Sequence, residues 1–472
     1  MIPMTLADIA AVVRGTVCDG DPRTTVTGPV RYETARVERG GMFAAFAGAH
    51  RDGHDFATDA IASGAAAVLA SRPVGVPAVV VADVREAYGR LAAEVVTRLP
   101  DLHRIGVTGS SGKTSTKDLL GKVLGRLGPT VAPPGNRNNE LGVPETVLLA
   151  TGETRFLVTE LGARHVGDIA ALMPVVRPQI GVVLGVGSAH IGEFGGRAAI
   201  IRAKSELVEA LPAAGVAVLN ADDAAVSAME SRTRARVVTF GRHRSARVRA
   251  ERVMLDGRAR ARFRLRTPAG TADVALQLYG EHFVTAALAA AAVALEYTHD
   301  IWLIADALSA ATPVSAGRMR VTDRPDGVTL LDDSYNANPE SMAAGLHTLA
   351  EVAGGRRRAV AVLGQMNELG KESAAAHREV GRLAARLGVD VVLAVGNSDA
   401  AEVAEAASAF AGPSGDGRRV TEHVADRESA FDRLGDLLRP GDVVLIKGSN
   451  GIGLGDLATR LIRTRAWAMS GR

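Results

Sequence analysis

A chain of 472 residues exceeds one ordinary domain and suits two to four, and its composition, 47 % hydrophobic and 23 % charged, excludes a disordered or fibrous protein. A net charge of +3 with scattered arginines gives no case for a nucleic-acid partner despite a pI near 9.1. The longest apolar run, 284–295, is far short of a membrane span and no basic-then-apolar leader opens the chain, so a cytoplasmic enzyme without a membrane span is expected.

Cys18 stands alone, which excludes an internal disulfide and suits a reducing compartment. Of the 55 basic residues only Lys113, Lys117, Lys122, Lys204, Lys371 and Lys447 are lysines. A primary amine is a compact point charge that can also react covalently, unlike guanidinium, so lysines surviving in an arginine-rich chain single out Lys113, Lys204 and Lys447.

Residues 1–98 read as a small α/β domain. Thr5-Leu-Ala-Asp8 has the form of a capping box opening a helix that Gly15 closes. A strand near 40–46 leads into the polar turn Arg51-Asp52-Gly-His54-Asp-Phe56.

Residues 99–313 alternate apolar strands with helices, which predicts a mostly parallel sheet covered on both faces. Strands are expected at 104–108, 156–160, 180–186 and 216–219. Between Ile105–Val107 and the helical spacing of Leu119, Leu120, Val123 and Leu124 lies Gly109-Ser110-Ser111-Gly112-Lys113-Thr114-Ser115. Inward N–H groups at the glycines, the Lys113 ammonium and the Thr114 hydroxyl form a triphosphate cradle with a place for Mg²⁺. The strict Walker spacing would need glycine at Val107, so this is a shorter form. Downstream, Pro133–Pro144 is a turn-rich loop carrying Asn136, Asn138 and Asn139, which can hydrogen-bond ligands. Glu160 ends an apolar strand, where open α/β sheets bind ligands, and is the first metal candidate. His190 follows the next strand; read alone, such a histidine is more often a loop residue than a ligand. Asp223 reads as the cap of a short helix.

Residues 314–472 open with Gly317-Arg318-Met319 and Leu330-Leu-Asp332-Asp333-Ser-Tyr335-Asn336-Ala-Asn338-Pro339. Strands at 359–363, 389–395 and 442–447 between helical stretches predict a Rossmann-like sheet, with no complete G-x-G-x-x-G and hence no nicotinamide cofactor. Ala411–Gly417 reads as a surface loop.

The short phosphate loop, the stretch Asp332–Pro339, Gly364-Gln365-Met366-Asn-Glu368-Leu-Gly370, His377 and Lys447-Gly-Ser449-Asn450 together resemble the Mur ligase family, in particular its MurF-type branch, over nearly the whole chain. The resemblance implies an α/β, three-domain architecture with a central phosphate loop and a Rossmann-like third domain. It also implies a monomeric ATP-dependent ligase that joins D-alanyl-D-alanine to UDP-N-acetylmuramoyl-tripeptide through an acyl phosphate. By the same resemblance Arg36, Asp52, His54, Asn138 and Asn139 hold the UDP-muramoyl substrate. Gly109 to Ser115, Asn136, Arg318, Asp333, Tyr335 and Asn336 hold ATP. Lys113, Glu160, His190 and Lys204 are catalytic, with Thr114 and Glu160 on one Mg²⁺ and His190 with a carbamylated Lys204 on a second. The family pattern is departed from at Thr34-Ala35, Ala286, Gln365 and Asn450. Rivals are a sister ligase adding a single amino acid, disfavoured by Tyr335–Pro339; a folylpolyglutamate-type ligase, disfavoured by Asp52–Phe56; and a non-enzymatic nucleotide switch, disfavoured by the metal-ligand set.

Overall fold

The computed structural model describes residues 1–48, 51–410 and 419–464, so the loop expected at 411–417 lies outside the described residues. The capping box forms as the sequence requires: Thr5 Oγ1 accepts from Asp8 N at 3.1 Å and Thr5 N donates to Asp8 Oδ2 at 3.2 Å. Helix Leu6–Val13 ends on Arg14 in left-handed backbone (φ 58°), one residue before the expected Gly15. Gly15 serves close packing instead, since a Cβ there would lie 2.7 Å from the Val80 carbonyl oxygen.

Five short strands of the first unit form a sheet ordered Thr16–Cys18, Ala78–Val80, Ala67–Ala70, Met42–Ala44, Val30–Arg31. Helix Val84–Arg98, capped by Asp83, buries Leu91, Ala92 and Val95. One apolar core continues from Leu6 and Ile9 through these residues to Val143, Val147, Ile169 and Leu207 of the next unit.

The central sheet has nine strands. Its order is Gly270–Tyr279, Arg260–Thr267, Val248–Leu255, Arg236–Gly241, Val216–Asn220, Ile180–Val183, His103–Thr108, Phe156–Glu160, Thr130–Val131. All neighbours from Val248–Leu255 to Thr130–Val131 are parallel, as the strand–helix alternation predicts. The strand expected at 180–186 stops at Val183, because the Asn220 side-chain amide takes the Leu184 carbonyl at 2.7 Å in place of a ladder partner.

The last three strands form an antiparallel meander that strand–helix alternation does not foresee. Its logic is a period of two: Ala261, Phe263 and Leu265 are buried while Arg262, Arg264 and Arg266 point the other way. Helix Phe283–Ala294 covers the apolar face. Eleven of its twelve residues are buried, which alanine permits by letting backbones approach.

In the third unit six strands run Arg320–Asp323, Thr329–Asp332, Val443–Lys447, Ala359–Gly364, Val391–Val395, Val420–Val424. Only the first pair is antiparallel. This is the open α/β sheet expected of the region. Among the described residues no helix is long and apolar enough to cross a membrane.

Glu145, on helix Gly142–Val147, ties the first unit to the second. Its buried carboxylate meets Arg31 Nη1 at 3.1 Å, Arg36 Nη1 at 3.4 Å and Arg137 Nε at 2.8 Å. A buried carboxylate is stable there because three guanidiniums replace its water. Glu145→Ala leaves Arg31 buried with Glu38, at 2.8 Å, as its remaining carboxylate and is expected to destabilise the protein by about 2 kcal/mol. Urea denaturation with an unchanged first transition midpoint would show that this cluster holds nothing together.

Candidate active site

The loop between strand His103–Thr108 and helix Lys113–Leu124 leaves the sheet where strand order reverses, with Phe156–Glu160 on one side and Ile180–Val183 on the other. Open α/β sheets bind ligands at such a point. Two glycines are required. Gly109 has φ 149° and a Cβ there would lie 2.9 Å from Leu184 Cβ, while Gly112 opens the helix at φ 80°. Ser110 fixes the loop to its neighbour, donating its N–H to the Gly185 carbonyl at 2.9 Å and accepting from Gly187 N at 3.0 Å.

Behind the loop the side chains interlock. Thr114 Oγ1 donates to Glu160 Oε2 at 2.8 Å, Asn138 Nδ2 donates to Glu160 Oε1 at 2.8 Å, and Arg318 Nη2 donates to Thr114 Oγ1 at 3.1 Å. Arg318 also lies 4.2 Å over the Tyr335 ring. Lys113 Nζ donates to the Gly109 carbonyl at 2.8 Å. Burial lowers the pKa of this ammonium, opposed by Glu160 and assisted by Arg318.

These groups share a cleft of about 1460 Å³ with Arg36, Asn139, His190, Asn336 and Asn450. His190 Nδ1 pairs with Glu368, and burial nonetheless lowers its pKa. Lys204, 2 % exposed, has no hydrogen-bonding or ionic partner among the described residues; its Nζ lies 5.9 Å from the Phe194 ring centroid. Its neighbour Glu206 caps another helix, accepting from Gly167 N at 2.6 Å and Ala170 N at 2.9 Å. Burial first and Lys113 second push the Lys204 amine down to about 7.

Other expected residues are placed elsewhere or are already engaged. Asp52 and His54 do not line the cleft: Asp52 accepts from His54 N at 3.0 Å and pairs with Arg72, while His54 Nε2 accepts from Ser71 N at 2.9 Å. The two-residue spacing of Asp52 and His54 makes a self-contained turn. Asp333 takes Met319 N at 3.1 Å and Lys447 Nζ at 2.5 Å. Gln365 is held by Asn397 N, and buried His377 accepts from Met366 N at 2.9 Å. Ala286 is buried within its helix. Asp223 caps helix Ala224–Ser227 and also accepts from Val186 N at 2.7 Å, so it braces the loop before His190.

Glu368, Glu340 and Arg164 are residues the sequence did not single out as site residues. Glu340 accepts from Ser188 N at 2.8 Å and from Ser188 Oγ at 3.2 Å. Glu368 also faces Arg164 Nε at 3.2 Å. Their only sequence signal was that Glu368 lies within the stretch Gly364–Gly370 and that Glu340 follows Pro339.

The described residues hold no preformed cluster of three or more His, Cys, Asp or Glu able to hold a metal ion. The donor set still fits Mg²⁺, which is ordinarily held by one or two carboxylates together with substrate phosphates and water. Thr114 and Glu160 supply the hydroxyl and the carboxylate, and the buried Arg318 Nε, without a hydrogen-bond partner, offers a donor suited to an anion.

A phosphate loop on a parallel sheet, met by an arginine from a following α/β unit, defines a nucleotide-phosphate site, and the family and relatives that the chain matches make it that of an ATP-dependent, amide-bond-forming ligase. Family profiles agree along the chain. "Mur ligase family, catalytic domain" matches residues 29–111, "Mur ligase middle domain" residues 107–294 and "Mur ligase, glutamate ligase domain" residues 317–450. The UDP-N-acetylmuramoyl-tripeptide–D-alanyl-D-alanine ligase of Mycobacterium tuberculosis is 48 % identical over 98 % of both chains. That of Escherichia coli is 36 % identical over 98 % of this chain and 99 % of its own. A crystal structure of MurF from Acinetobacter baumannii superposes with TM-score 0.84 at 32 % identity, covering 98 % and 99 %. MurF ligase from Thermotoga maritima in complex with ADP gives 0.76 at 27 %, covering 93 % and 97 %. The chain belongs to the Mur ligase family.

Lys113→Ala removes the charge beside the cradle and is expected to lower ATP turnover roughly 10²- to 10³-fold with the fold intact. Near-normal phosphate release from a variant with a native circular dichroism spectrum would remove Lys113 from the site.

Proposed function

We propose that the chain joins D-alanyl-D-alanine to UDP-N-acetylmuramoyl-tripeptide while ATP becomes ADP and phosphate. The carrying observation is 48 % identity along 98 % of both chains to the ligase of that name. The stretch Asp333-Ser-Tyr335-Asn336-Ala-Asn338-Pro339, of which Tyr335 to Asn338 line the cleft, supports a dipeptide rather than a single amino acid as acceptor.

A carboxylate is a poor electrophile. In the reading we favour, its oxygen attacks the γ-phosphorus, ADP leaves, and the dipeptide amine adds to the acyl phosphate; the tetrahedral intermediate then expels phosphate and the nitrogen loses a proton. Gly109 to Ser115 cradle the phosphates, and Lys113 and Arg318 face the charge that develops on them. Mg²⁺, when bound, neutralises phosphate and carboxylate oxygens. Thr114 and Glu160 would hold one ion; His190 and Lys204 would hold a second. Asn136, Tyr335 and Asn336 surround the nucleoside, with Asp333 positioning Arg318's strand entry through Met319. Arg36, Asn138 and Asn139 face the UDP-muramoyl substrate, whereas Asp52 and His54 serve the turn that contains them.

Lys204 is assigned as a carbamate. A buried amine without a counter-ion, brought to about 7, has a neutral fraction that adds CO₂ and releases a proton, which yields an anion able to bind a cation. Units 1–98, 99–313 and 314–472 would act as substrate, ATP and closing domains of a cytoplasmic monomer, with closure keeping water from the acyl phosphate.

Phosphate release is expected with UDP-muramoyl-tripeptide and D-alanyl-D-alanine, and not with meso-diaminopimelate or glutamate as the amine; comparable rates with glutamate would overturn the acceptor. Lys204→Arg is expected to abolish activity, because it replaces an anion with a cation, and Lys204→Ala to regain part of it with added short-chain carboxylic acid. An active Lys204→Arg protein would refute the carbamate.

A further inference from the structure

One contact in the cleft has no task in the mechanism above, and it joins two unusual pieces of backbone. His190, before the short helix Ile191–Phe194, has φ 63°, and Glu368, in the loop after strand Ala359–Gly364, also has φ 63°. Left-handed backbone at a residue other than glycine is strained and persists where surrounding contacts impose it. Here the contacts are mutual. Gly192 N donates to the Glu368 carbonyl at 2.9 Å, and a Cβ on Gly192 would lie 2.7 Å from Gly370 N. The two loops are therefore built to touch, and their side chains meet at His190 Nδ1 and Glu368 Oε2.

A carboxylate on Nδ1 keeps the proton on that nitrogen and leaves Nε2 with its lone pair. Among the described residues Nε2 has no hydrogen-bond partner, and the ring lines the cleft. Cation-binding histidines are commonly held this way, with the partner setting the tautomer and the ring plane. The partner is supplied by the third unit, while the histidine belongs to the second. Glu340 crosses the same boundary to Ser188, two residues earlier, and does not touch the ring.

We propose that Glu368 is a positioning residue: it fixes the tautomer and orientation of His190, so that the second cation position is complete only when the third unit is docked on the second. This rests on the reading of His190 as a cation ligand. Glu368 would thereby make ATP chemistry conditional on closure, since an open enzyme presents an untethered imidazole.

The test uses the full chain with a non-hydrolysable ATP analogue and UDP-muramoyl-tripeptide, and Mn²⁺ as the probe, followed by its electron paramagnetic resonance signal. Wild type, Glu368→Gln, His190→Ala, the double variant and Glu340→Gln are compared, with melting temperature reporting the fold. Glu368→Gln is expected to weaken the second Mn²⁺ at least 10-fold, and His190→Ala likewise. The double variant should be no worse than His190→Ala alone, and Glu340→Gln should bind like wild type. Wild-type binding by Glu368→Gln, an undiminished further loss in the His190→Ala background, or an equal loss in Glu340→Gln would each overturn the proposal, the last by reducing the contact to a latch between units. Normal Mn²⁺ binding by His190→Ala would remove the ligand role and the proposal with it. Phosphate release by the wild type with D-alanyl-D-alanine is measured separately, so failure of the acceptor assignment shows up independently of the Mn²⁺ result.

Discussion

Everything at the centre of this molecule depends on the parallel register of two strands. Val107 lies opposite Glu160, so the phosphate loop that begins two residues after Val107 and the carboxylate that ends the neighbouring strand emerge side by side. A helix of the phosphate-loop type then brings its second residue, Thr114, within hydrogen-bonding distance of that carboxylate. A slip of one residue would turn the Glu160 side chain to the opposite face of the sheet. Arg318 and Asn138 can meet the same pair only because the register holds it in place.

Around this pair the electrostatics are unbalanced by design of the fold. Lys113 and Lys204 are both desolvated, Lys113 disfavours a positive charge on Lys204, and Glu160 is the carboxylate common to both environments. A buried Lys113 ammonium short of anions suits a site awaiting a highly negative substrate, and the same positive charge favours the anionic form proposed for Lys204. Each phosphate oxygen that enters replaces water lost to burial around Lys113.

What could be read from the sequence was local. Strand, turn and helix around Gly109–Ser115 follow from periodicity and glycine placement, and Glu160 follows from its place at a strand end. The capping box at Thr5–Asp8 is a four-residue pattern and formed as written. Pairings between distant segments were not legible: His190 with Glu368 spans 178 residues and Ser188 with Glu340 spans 152. No periodicity encodes which carboxylate will arrive at which loop. Asp52 and His54 misled for the opposite reason, because a polar turn that satisfies its own hydrogen bonds looks, as a string, like one awaiting a ligand. The antiparallel meander was legible in the alternation from Arg260 to Thr267 but was hidden by the expectation of continued strand–helix alternation.

That meander ends in Gly270–Tyr279, the border strand of the largest sheet, against which helix Ile301–Ser309 packs, with Ala275 N donating to Ser309 Oγ at 3.1 Å. Its outward rows carry Arg249, Arg262, Arg264 and Arg266, relieved in part by Glu251 and Asp273, and the ladder is interrupted between Arg260 and Arg262. Two such faces brought together would set guanidinium against guanidinium, and the irregular ladder offers a poor template for another strand. Like charge on the outward rows thus opposes the stacking of one such face on another.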